Sequence, residues 1–99
     1  MREETFLLVV IGNGMKNAGI LDGNLICCRK SDSAQDGDIV YARIESGAHG
    51  RYTLSRYREE GGEVRLYSET DDMNFAPYTS VAPGALKILG IFKNVIKVS

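Results

Sequence analysis

Apolar residues in this chain come as short runs closed by glycine, and not at the three-and-four spacing of amphipathic helices. Thr5-Phe-Leu-Leu-Val-Val-Ile11 is a continuous aliphatic and β-branched run ended by Gly12-Asn13-Gly14. It predicts a buried strand followed by a sharp turn. The turn pairs Asp22-Gly23 and Asp36-Gly37 each precede another strand, Leu25–Lys30 and Ile39–Ile44. Arg51–Tyr57 and Glu63–Tyr67 flank Glu59-Glu-Gly-Gly62, the signature of a hairpin. Ala85–Val98 closes the chain with a long apolar stretch interrupted at Gly90, while Met15–Ala18 alone reads as a helical turn. The segment Asp71–Val81, with Asn74, Pro77 and Ser80, reads as mostly irregular. Six short strands joined by Gly and Asp turns predict an all-β fold: one small sheet, curled on itself and partly closed, with at most one or two helical turns.

Length and charge narrow the class. Ninety-nine residues make one domain, spanning 1–99, with neither linker nor repeat. A chain of this size buries roughly 60–65% of its unfolded surface, enough for a real core. Twelve Lys and Arg against thirteen Asp and Glu leave a net charge of −1, so the domain has no excess cation with which to cover nucleic-acid phosphates. The longest apolar run, Phe6–Ile11, is far short of the ~20 residues of a spanning helix, and the acidic start Met1-Arg2-Glu3-Glu4 is unlike a signal peptide. Cys27 and Cys28 are adjacent, so on a strand they point to opposite faces and are poorly placed to pair. Two thiols of this kind fit a reducing cytoplasm. With a single histidine and no Cys-x-x-Cys, neither a metal nor any other cofactor is expected.

Each reactive-looking group also has an ordinary explanation. The turn Gly12-Asn13-Gly14-Met15 stands where many folds expose a nucleophile or a set of backbone N–H groups, yet it holds no Ser, Thr or Cys. It also lacks the longer Gly run and Lys-Ser/Thr ending of a phosphate loop. His49, in Ser46-Gly-Ala-His-Gly50, is expected in a solvated loop without an orienting partner. The paired acids Glu59-Glu60 and Asp71-Asp72 are expected in turns. Arg51, Arg56, Arg58 and Arg65 interleave with Tyr52, Tyr57 and Tyr67, the pattern of cross-strand packing beneath snorkelling arginines.

The order of these motifs resembles one known family. Phe6-Leu-Leu-Val-Val-Ile-Gly-Asn-Gly-Met-Lys-Asn-Ala-Gly-Ile-Leu-Asp-Gly-Asn24 is similar to the opening of the LexA-like autopeptidase domain, shared by SOS repressors, lambda-type phage repressors and the UmuD mutagenesis proteins. The family pattern is an apolar strand, G-x-S-M, a short turn, then G-I-x-D-G-D. Asp36-Gly-Asp-Ile-Val-Tyr-Ala-Arg43 matches its next landmark, and Glu63–Leu66 and Leu86–Phe92 match later strands. The resemblance covers nearly the whole chain and implies the curled sheet of the LexA and signal-peptidase type.

It also implies a chemistry that these residues do not supply. The family uses a Ser–Lys dyad in which a neutral lysine activates the serine for attack on a peptide bond of the protein's own linker. The serine of G-x-S-M falls here on Gly14. The lysine of T-V-K-R falls on Ser55, within Thr53-Leu-Ser-Arg56. Lys16 matches a family lysine that is not the base, Lys30 belongs to another strand, and Lys87, Lys93 and Lys97 belong to the last. What persists is the oxyanion turn, the backbone N–H groups of Asn13 and Gly14. Gly and Ser together fit natural loss better than an engineered knock-out, which normally puts alanine at one position.

Three readings follow. The first is a catalytically inactive LexA-like module, cytoplasmic and without its own nucleic-acid or membrane contact. In it the domain provides dimerisation or regulation for a phage- or SOS-type transcriptional repressor. The family's two-fold interface then falls on Ile91, Phe92, Val95 and Ile96 of an apolar terminal strand, read as an edge strand. The second is a serine autopeptidase whose parent gene has Ser and Lys at positions 14 and 55. The third is a domain that holds a peptide, such as the repressor's linker, in the former active-site groove without cutting it. The family's N-terminal helix-turn-helix domain and cleavable linker are not expected within these 99 residues.

Overall fold

The structure, a computed structural model, describes residues 3–46 and 48–97. Among them are seven strands: β1 Thr5–Val9, β2 Leu25–Lys30, β3 Ile39–Ser46, β4 His49–Glu60, β5 Glu63–Tyr67, β6 Tyr78–Val81 and β7 Leu86–Ile96. Two single 3-10 turns, Lys16–Ala18 and Pro83–Ala85, are the only helical pieces. The strands form one antiparallel sheet in the order β1-β2-β7-β3-β4-β5-β6, open between β1 and β6. The all-β expectation is met, and no helix among the described residues is long and apolar enough to cross a membrane.

The sheet buries residues on both of its faces. Successive side chains of a strand point to opposite sides, and β3 uses both. Val40 and Ala42 enter one core with Tyr57, Leu66, Val81, Ile88 and Ile91. Ile39 and Tyr41 enter a second, with Val10, Met15, Ile20, Ile26 and Cys28. Strand β7 also serves both cores, and its register shifts twice. Leu89 is an extra residue opposite β3, and Lys93 is one opposite β2. Each bulge reverses which side chains face inward and adds curl to the sheet.

Three expectations change. The run Thr5–Ile11 is not a buried strand. β1 is an edge strand ending at Val9, with Thr5, Leu7 and Val9 exposed and Phe6 and Leu8 turned inward. Continuous apolarity hid that alternation. The segment Asp71–Val81 is mostly irregular, as expected, and its last four residues, Tyr78–Val81, pair with β5 and bury Val81. His49 is the first residue of β4, paired with Ser46, and not part of a loop. Finally, β7 is not an edge. It lies between β2 and β3, so its apolarity feeds the cores: Ile91 is buried, and Phe92 and Val95 are half-buried against the second core. Ile96 is half-buried at its end, opposite Leu25. Val98 and Gly47, the end of the predicted last strand and a member of the predicted His49 loop, lie outside the described residues.

Gly90 is fixed by a close approach. A Cβ there would lie 2.6 Å from the Phe6 ring and 3.0 Å from the Arg29 carbonyl oxygen. Phe6 thus crosses from the edge strand to cover the centre of β7, its ring centroid 6.1 Å from that of Tyr41. Overpacking of this kind costs about 1–3 kcal/mol. Gly90→Ala is therefore expected to lower stability by about 2 kcal/mol in urea unfolding. In a Phe6→Leu background the same change should cost measurably less. Equal costs in the two backgrounds would place the strain on the backbone contact instead.

Candidate functional site

The turn after β1 is built by local hydrogen bonds. Gly12 has φ +89°, a conformation open to glycine, and its N–H donates to Asp22 Oδ1 at 2.6 Å. The Asn13 side-chain oxygen accepts from the Asp22 N–H at 3.0 Å, so the two residues brace each other across the turn. Met15, buried in the second core, anchors the far end. The Asn13 and Gly14 N–H groups have no hydrogen-bond acceptor among the described residues.

The chain after β5 clamps this turn from outside. The Glu69 N–H donates to the Gly14 carbonyl at 2.8 Å, and the Asn17 N–H donates to the Glu69 carbonyl at 2.7 Å. The Glu69 carboxylate is itself gripped by Arg56, whose Nε and Nη2 donate to its two oxygens at 3.0 and 2.9 Å. Arg56 Nη1 also donates to the Gly37 carbonyl. Those hydrogen bonds, partly opposed by burial, hold the Glu69 carboxyl below the usual carboxylate range.

Gly14 and Ser55, the two positions assigned to the dyad, line one groove of about 480 Å³. Ser55 is only 6% exposed, and its Oγ lies 2.8 Å from Thr53 Oγ1, so each hydroxyl satisfies the other. Gly14 has no side chain to offer. The groove therefore lacks a base, and its hydroxyls at Thr53, Ser55, Ser68 and Thr79 have no lysine or histidine among the lining residues to activate them. His49, Glu59 and Glu60 do not line it, nor do Cys27 and Cys28. Burial pushes the Cys28 thiol up to about 11, which leaves it an inert core group.

Phe75 is a residue of the site that sequence reasoning missed. It belongs to the segment taken as irregular, and its ring lies against the turn. A Cβ at Gly14 would be 3.1 and 3.2 Å from two of its ring carbons, and one at Gly12 would be 3.3 Å away. The sequence offered no periodic signal for it, since it reaches the turn from a bend 61 positions further along the chain (75 − 14).

The arginine grip supplies a test that depends on pH. A carboxyl whose pKa is lowered on folding adds stability above its unfolded value, about 4.3, and loses it as the pH falls through the folded value. Glu69→Gln is therefore expected to cost about 1–2 kcal/mol at pH 7, as for a half-buried charge-assisted pair. The gap to the unmodified chain should close in acid, as read from urea midpoints between pH 7 and about pH 3. A gap that persisted unchanged in acid would show that the ion pair is not its source.

Comparison with known proteins agrees with this geometry. The family model described as Peptidase S24-like matches residues 1–92. The LexA repressor of Shewanella pealeana is 38% identical over 93 residues, which cover 93% of this chain and 42% of the relative. The LexA repressor of Vibrio cholerae serotype O1 is 39% identical with the same coverage. That of an Exiguobacterium species is 32% identical over 93 residues, covering 94% of this chain and 43% of the relative. The chain spans about two fifths of the length of these curated relatives. Matched over residues 1–92 by that family model and 32–39% identical to these relatives, the chain belongs to the LexA-like, Peptidase S24-like family.

Proposed function

We propose that this chain is a catalytically inactive LexA-like domain, the dimerisation and regulatory module of a bacterial SOS- or phage-type transcriptional repressor, acting in the cytoplasm. The observation that carries this reading is the emptied dyad on an intact scaffold: Gly14 and Ser55 line the groove, and no basic nitrogen of lysine or histidine lines it with them. Contact with DNA then falls to another part of the repressor. Loss of nucleophile and base together leaves at most a residual effect on the order of 10³–10⁴ over water, as in other serine enzymes.

The association surface is the open end of the sheet. Val9 pairs with Leu25, and Leu25 with Ile96, so the three stand in a row on one face. Val9 and Leu7 are each 58% exposed. An apolar row beside an unpaired strand edge is a surface that a second copy would cover. Of the four residues assigned to the interface, Ile96 joins this row, Phe92 and Val95 support it from the core side, and Ile91 acts through the core alone.

A second reading is favoured by the shape of the site. The groove keeps a peptide-sized volume and an oxyanion turn whose N–H groups remain unpaired among the described residues, so it holds an extended peptide, such as a repressor linker, without cutting it.

Two experiments test these readings. The unmodified chain and Gly14→Ser are expected to leave a linker peptide intact overnight at any pH, as read by mass spectrometry. Gly14→Ser with Ser55→Lys should restore cleavage, the Phe75 ring shifting by a few tenths of an ångström to admit the new side chain. Cleavage by the unmodified chain would overturn the inactive reading. A folded but silent double variant would mean that the groove has decayed as well, or that Ser55 is not the lysine position. Sedimentation at micromolar concentration should show a dimer that Val9→Asp converts to monomer, and a strictly monomeric parent would remove the association role.

A further inference from the structure

The groove has one charged side chain. Arg51 lines it near Tyr52 and Ile44, and none of the other lining residues carries a charge at neutral pH. Arg51 is also singular among the described arginines. Arg29, Arg43, Arg56, Arg58 and Arg65 each lie within 4 Å of at least one carboxylate oxygen, and Arg51 lies within that distance of none among the described residues. An exposed guanidinium without a carboxylate partner among the described residues, at the rim of an otherwise uncharged groove, is complementary to a carboxylate brought by a ligand.

The backbone around Arg51 sets the form of that ligand. Residues 51–55 of β4 line the groove consecutively, and β5 does not pair with them, since its pairing begins at Arg56. Residues 8–12, from the edge strand β1 into the turn, line it consecutively as well. Each stretch has one strand edge without a partner in the sheet, and such an edge recognises an extended chain through its N–H and C=O groups. We infer that the groove takes an extended peptide carrying an acidic side chain, and that Arg51 is the residue that selects the acid. The inference rests on the peptide-holding reading and adds its ligand class.

The selection is electrostatic and half solvated, so its size is modest. An exposed ion pair gives about 0.5–1.4 kcal/mol, which is a preference of about two- to tenfold. It weakens as salt rises, because the Debye length falls to about 3 Å at 1 M.

The test uses fluorescein-labelled nine-residue peptides built from Ala, Thr and Val. A single Glu, Gln or Lys is moved through the five central positions, and binding to the full chain is read by fluorescence anisotropy. At one or more positions the Glu peptide should bind about two- to tenfold more tightly than its Gln counterpart, and the Lys peptide more weakly. Arg51→Glu should reverse the order, with an unchanged melting temperature showing that the fold is intact. Arg58→Glu, which alters an arginine outside the groove, should leave the order as it was. Equal affinities for Glu, Gln and Lys at every position would overturn the selection by Arg51 while leaving the groove as a peptide site. A preference for Glu that survived Arg51→Glu would do the same. Absence of binding by every peptide would overturn the peptide-holding reading together with the inference built on it.

Discussion

Everything in this molecule depends on the pairing of β7 between β2 and β3. The first two strands reach the rest of the sheet only through the last one: β2 pairs with β7 over Leu25–Lys30, and β7 with β3 over Val40–Ile44. Remove that insertion and the turn carrying Gly14 is no longer joined to the strand carrying Ser55 through the sheet, only through the Glu69–Arg56 bridge. The two β7 bulges allow a single strand to supply Ile88 and Ile91 to one core and Phe92 and Val95 to the other. A straight strand would put Ile88 and Ile91 on opposite faces, and Phe92 and Val95 likewise, so the bulges are what bring each pair to a single core. The cost is non-local order. The strand that joins the halves is the last in the chain, and such pairing must close long loops before any contact compensates.

The site inherits its precision from this frame. The Gly12–Gly14 turn is braced by Asp22 within its own segment and by Glu69 from beyond β5, and Glu69 is gripped by Arg56 from β4. Turn and groove wall are therefore tied through one guanidinium and one carboxylate. Geometry of this kind is independent of the residues at 14 and 55, because none of the bracing atoms belongs to their side chains. The Phe75 ring then packs against a glycine that has no Cβ to hold it off.

Most of the fold was legible because strands and turns announce themselves locally. Asp22-Gly23, Asp36-Gly37 and Gly61-Gly62 each fall between strands where the turn residues indicate. What stayed hidden is set by tertiary neighbours. Thr5–Ile11 is apolar on both faces, and only the sheet order decides which face meets water. The apolarity of β7 has two explanations from sequence, an exposed interface or a central position, and the insertion between β2 and β3 selects the second for Ile91. Tyr78–Val81 alternates as a strand should, but Asn74 and Pro77 just before it read as loop. Within the site, Gly14 and Ser55 were placed by family motifs and not by any periodicity. Phe75 and Arg51 gain their meaning only once distant segments meet.

The environment at Ser55 is the one a catalytic lysine would need, which makes the present residue informative. A lysine at a position 6% exposed loses most of its hydration, and burial lowers its pKa because the charged form is disfavoured. No carboxylate among the lining residues would restore that charge, and Arg51 on the same groove opposes it further. The surroundings therefore favour a neutral amine, the form in which lysine accepts a proton from a serine. Serine at this position instead shares one hydrogen bond with Thr53, so its buried hydroxyl has a partner.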